Sequence, residues 1–137
     1  MTLRVESKRR ARALQLLYAV EATGDPAGAA ARGLGRLTGP EPAIADEAQA
    51  IVEGVMARRP EIDRLAQAAA ENWRIERIAI VERSVLRIAI HELLLGVLPA
   101  KVVIDEAVWL AQRFAGPRAP AFVNGVLDRV ARDLGRL

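Results

Sequence analysis

Four cations crowd a five-residue stretch near the start of the chain: Lys8, Arg9, Arg10 and Arg12. Guanidinium forks grip phosphate oxygens in pairs, and the first amides of a helix add unpaired donors beside them. If a helix begins here, the cluster has the parts of a phosphate site. It also carries the wrong sign for a helix start, where the dipole already places positive charge, at a cost of a few tenths of a kcal/mol per surface charge. On charge alone two readings stand open, a phosphate-binding site and a solvated, frayed basic terminus. The other chemically suggestive residues lead nowhere catalytic. Asp105 and Glu106 are adjacent carboxylates, but neighbours on a helix point about 100° apart. Near a helix start they stabilise the dipole rather than share a proton. There is one histidine, His91, and no cysteine. Disulfides, a thiolate metal site and a cysteine nucleophile are excluded, and a histidine-rich metal site or a serine–histidine–aspartate triad fits poorly. No glycine-rich phosphate loop or nucleophile elbow occurs. The residues therefore point to binding rather than to an enzyme, with no catalytic residue, no metal and no cofactor expected.

Charge is distributed unevenly. Residues 1–12 hold five cations against Glu6, a net of +4, and residues 113–137 hold five against Asp128 and Asp133, a net of +3. The intervening chain is net −4, within an overall +3. Basic ends on an acidic middle suggest an anionic ligand at the ends and a different partner in the middle. Eighteen of the twenty cations are arginine, which favours forked phosphate contacts over point charges.

These residues must be held by helices. Hydrophobic residues make up 52% of the 137 positions and aromatics only 4%, so the core is aliphatic and large enough for one domain. The most informative stretch is Val81–Leu98, apolar on nearly every side and ended by Gly96 and Pro99, which reads as a central helix enclosed by others. Arg83, Arg87 and His91 fall four apart on it, a polar ridge expected to be its one line of contact with the outside. His91 on that ridge reads as a surface or partner-facing residue. Around this helix the spacing predicts helices over Lys8–Ala22, with Ser7 as cap, then Ala27–Leu37, Glu41–Arg59, Glu61–Ala70, Lys101–Ala115 and Ala121–Leu134. Trp73, in the connection ENWRIERI, is expected to clamp two bundles together. Gly125 inside the last helix costs about 1 kcal/mol relative to alanine. It is expected to permit close helix packing or the approach of a ligand to the backbone. No segment alternates with strand periodicity, none is long enough to cross a membrane, and MTLRVESKRR has no apolar signal core, so a cytoplasmic protein is expected.

ARALQLLY at 11–18, ENWRIERI at 71–78, VLRIAIHELL at 85–94, VVIDEAVWLAQRFA at 102–115 and FVNGVLD at 122–128 together resemble the NusB family of bacterial transcription antitermination factors. The resemblance implies an all-α fold of about seven helices in two small packed bundles, a single domain with an N-terminal subdomain over about 1–72 and a C-terminal one over about 73–137. It implies an RNA-binding factor that pairs with NusE, a small-subunit ribosomal protein. The pair binds boxA single-stranded RNA and loads the antitermination complex on RNA polymerase during rRNA synthesis. By the same resemblance Lys8, Arg9, Arg10, Arg12, Arg118, Phe122 and Asn124 meet RNA, and Tyr18 and Glu82 face NusE. From the residues themselves, Phe122 reads as a stacking ring or a core side chain, and Tyr18 as an interface anchor or a half-buried core residue. A homodimer through the same faces, the RNA-binding domain of an rRNA methyltransferase, and a helix-turn-helix DNA binder are the alternatives.

Overall fold

The computed structural model describes residues 5–24 and 42–137. The helix expected over residues 27–37 lies outside them. Among the described residues there are six α-helices, one 3-10 turn and no strand. They are α1 (Val5–Thr23), α2 (Pro42–Ala57), α3 (Arg59–Ala69), α4 (Ile80–Leu95), α5 (Ala100–Phe114) and α6 (Ala119–Asp133), with the 3-10 turn at Ile75–Arg77. No described helix is long and apolar enough to cross a membrane. The chain groups into two compact units, Met1–Ala57 and Arg58–Leu137. Helix α3 thus belongs with the C-terminal helices, whereas the sequence expectation sets the division near residue 72.

In the first unit α1 packs against α2. Ala13, Leu14, Leu16, Leu17 and Val20 of α1 are buried, as are Ala48, Val52 and Val55 of α2. Proline at the first position of α2 lacks only an amide that would have had no helical partner. Helix α1 begins before Ser7, so Ser7 is a buried residue inside the helix and not its cap. Only Lys8 then falls in the first turn. The dipole penalty on Arg9, Arg10 and Arg12 is correspondingly smaller, because it fades beyond that turn.

The second unit is built on α4, which packs against α3, α5 and α6. Every residue from Ser84 to Ile90 is buried, as expected for a helix apolar on all sides. Gly96 ends it in the left-handed conformation at φ 67°. A β-carbon there would meet only the tip of the flexible Arg136 side chain, which can move aside, so the left-handed backbone is what selects glycine. Pro99 then caps α5.

The polar ridge of α4 does not face outward. Arg87 is 5% and His91 7% exposed. Arg87 grips Asp63 of α3 through a two-pronged ion pair, Nε to Oδ1 at 2.8 Å and Nη2 to Oδ2 at 3.0 Å. Arg83 Nη1 donates to the carbonyls of Ile75, Glu76 and Ile78, each at 3.3 Å. The ridge is therefore structural. It fastens α4 to α3 and to the 3-10 turn. His91 is a buried residue and not a surface one, and its pKa is lowered, first by desolvation and then by the Arg58 charge, with Glu92 opposing. The unfolded chain, with an ordinary histidine near 6.5, then binds more protons than the folded one below that pH. Folding stability should be fully present above pH 6.5 and fall as the pH drops below it. Urea unfolding between pH 7.5 and 5.5 should show that loss in the wild type and a flatter profile in His91→Gln.

Gly125 lies exposed in α6, and a β-carbon added there would meet nothing within 4 Å. Close helix packing is not its reason. Gly125→Ala should raise stability by about 0.5–1 kcal/mol in denaturant titrations, since alanine restricts the unfolded chain and suits a helix interior. A parallel loss of RNA affinity in this variant would mark the backbone at residue 125 as a ligand contact.

Candidate nucleic-acid interface

The basic cluster of α1 is not uniform. At about 100° per residue, Lys8, Arg12 and Arg9 fall within an arc of about 100°, while Arg10 lies outside it. Lys8, Arg9 and Arg12 are partly exposed, but Arg10 is 5% exposed. Arg9 Nε lies 3.3 Å from Glu47 Oε2 of α2, with both side chains open to solvent. An exposed pair of this kind is worth about 0–1 kcal/mol, so an arriving phosphate can displace the carboxylate. Tyr18 is 47% exposed. Nine residues after Arg9, it points about half a turn away from it. Helix α1 thus offers a three-cation arc on one side and an aromatic ring with a hydroxyl on the other.

The second unit has a recess of about 350 Å³ lined by Trp73, Arg77, Ile78, Ala79, Glu82, Arg118 and Phe122. Arg118 stands at the N-cap of α6, and Phe122 follows one turn later on the same face. The Trp73 and Phe122 rings meet edge to face, centroids 6.3 Å apart and planes at 78°. The loop bearing Trp73 is held from both sides. Gln67 Nε2 donates to the Trp73 carbonyl at 2.7 Å, and the Ile75 amide donates to Gln67 Oε1 at 2.9 Å. Arg83 fastens the following turn, which carries Arg77. The recess wall is thereby fixed before any ligand arrives.

Of the residues proposed from sequence, Arg118, Phe122 and Glu82 come together in this recess. Asn124 is exposed elsewhere on α6, about 200° round from Phe122. Trp73 and Arg77 were missed. Trp73 is 57% exposed, and its ring contact is with Phe122 of the same unit. Its signal was an indole in a polar, irregular segment, where no periodicity calls for an apolar residue.

The sequence model of the NusB family matches residues 7–132 of this chain. The chain belongs to the NusB family. A transcription antitermination protein NusB from Sorangium cellulosum is 43% identical over 129 residues, covering 93% of this chain and 92% of its own length. The NusB of Myxococcus xanthus is 39% identical over 132 residues, covering 93% and 94%. Among solved structures, T. maritima NusB superposes with a TM-score of 0.81 at 29% identity, covering 97% of this chain and 94% of that one. A crystal structure of antitermination factors NusB and NusE in complex with dsRNA gives a TM-score of 0.84 at 25% identity, covering 96% and 99%. The all-helical architecture is thus that of NusB proteins.

Proposed function

We propose that this chain is an RNA-binding transcription antitermination factor that pairs with NusE. The pair binds boxA RNA and loads the antitermination complex on RNA polymerase during rRNA synthesis. The observation that carries this reading is likeness over nearly the whole chain to NusB antitermination proteins, and to a NusB solved with NusE and RNA. Lys8, Arg9 and Arg12 on α1, with Arg118 and Phe122 at the recess, form the RNA-contacting set, and Asn124 extends it along α6. Arg10 supports α1 from its buried position. Tyr18 faces NusE, and Glu82 does so from the edge of the recess. The protein acts by binding in the cytoplasm, with no catalytic step, metal or cofactor. A homodimer would cover the same faces, and light scattering with and without NusE separates the two assemblies.

The test is a gel-shift titration of single-stranded boxA RNA with and without purified NusE, with the same sequence as duplex RNA and duplex DNA as competitors. NusE should strengthen binding severalfold, and duplex DNA should compete poorly. Equal competition by duplex DNA would favour a helix-turn-helix reading and overturn this one.

A further inference from the structure

The recess in the second unit combines features that cation clusters do not explain. Trp73 is more than half exposed, although burying an indole is strongly favourable. It stands edge-on to Phe122, leaving the indole positioned beside the recess rather than folded into a core. The recess lining includes the apolar residues Ile78 and Ala79. Its charged residues are of both signs, exposed Arg77 and Arg118 together with Glu82. Gln67 and Arg83 hold the backbone that presents Trp73 and Arg77.

The geometry points to a nucleobase site: the recess takes one base of the bound RNA, splayed from its neighbours, against Trp73 and Phe122. Arg77 and Arg118 hold the phosphates on either side. This rests on the RNA-binding reading above and adds Trp73 and Arg77 to it. A base fits where a phosphate does not. The lining is largely apolar, and the Glu82 carboxylate repels an anion but tolerates the flat, uncharged face of a base. Single-stranded RNA offers such bases, and stacking on aromatic rings is how proteins bind them without duplex readout. Flanking arginines supply the backbone grip that turns a stacking surface into a site.

The test walks a single abasic residue along a boxA-type single-stranded RNA of about a dozen nucleotides. Affinity is measured for the NusE-bound wild type, Trp73→Ala and Trp73→Phe. At one position the abasic RNA should bind the wild type about fivefold to a hundredfold more weakly than intact RNA. At that position Trp73→Ala should show no further loss, and Trp73→Phe should restore part of it. Trp73 is exposed, so its replacement should leave the urea midpoint unchanged. Tolerance of every abasic position by the wild type overturns the site while leaving RNA binding intact. So does an abasic penalty that persists in Trp73→Ala. A Trp73→Ala variant that loses NusE and keeps the abasic penalty also overturns it, in favour of a protein contact. Failure of the wild type to bind intact RNA removes the RNA-binding reading itself, and the site with it.

Discussion

Asp63→Ala should lower the unfolding free energy by about 3–5 kcal/mol, a large share of the 5–15 kcal/mol that holds a domain of this size together. The reason lies in what the substitution leaves behind. Arg87 is 5% exposed on the helix that the whole second unit surrounds, and its guanidinium meets both oxygens of Asp63 at 2.8 and 3.0 Å. Removing the carboxylate takes both of these hydrogen bonds from a nearly buried cation, and its desolvation is then far less well offset. Arg59 lies 3.6 Å from the same carboxylate and would lose that contact as well, though at the surface this is worth about 0–1 kcal/mol. Replacing both ends of the buried pair, as Asp63→Leu with Arg87→Met, should restore much of the loss, because the uncompensated charge goes with it. Urea denaturation of the wild type, both single variants and the double variant gives the coupling directly. A loss below about 1 kcal/mol in Asp63→Ala would mean that the guanidinium reaches water or carbonyl groups instead, and that the pair does not hold α3 to α4.

The central helix was legible because apolar residues occupy nearly every side of it, and its end because Gly96 and Pro99 punctuate it. The direction of its polar ridge was not legible for the same reason. A helix enclosed on all sides gives no contrast from which to orient three polar residues, and spacing says only that Arg83, Arg87 and His91 share a face. That face turns inward because Asp63 on α3 is there to receive Arg87. The α1 cluster carried a readable signal that its density of charge obscured. Arg10 precedes Ala13, Leu14 and Leu17 by three, four and seven residues, so it lies on the apolar stripe, and it is buried with them. At the recess, Arg118 and Phe122 were found one turn apart, but Trp73 and Arg77 reach them from a loop. Contacts between a loop and a helix that follows it by some fifty residues leave no periodic trace.

Removing the three cations of the exposed arc, in the combined variant Lys8→Ala, Arg9→Ala and Arg12→Ala, should weaken RNA binding about a hundredfold at 0.1 M salt. Each phosphate contact on single-stranded RNA contributes about 0.7 to the slope of log K against log salt, so three contacts account for a slope of about −2. At a tenth molar that slope is worth about two decades of affinity relative to the 1 M reference. Arg10 is left in place because it is buried and its loss would disturb α1 rather than the interface. Glu47, freed of Arg9, adds a small repulsion of its own in the variant. The slope is the decisive readout. A fall in affinity with the slope unchanged would mean that the substitutions damaged the fold or the NusE contact. A shallower slope with an unchanged urea midpoint would mean that phosphates left with the cations. Arg10→Ala should behave in the opposite way, losing stability first and affinity only as a consequence. The separation of those two outcomes along one short stretch distinguishes a phosphate-gripping arc from a basic segment that is merely solvated.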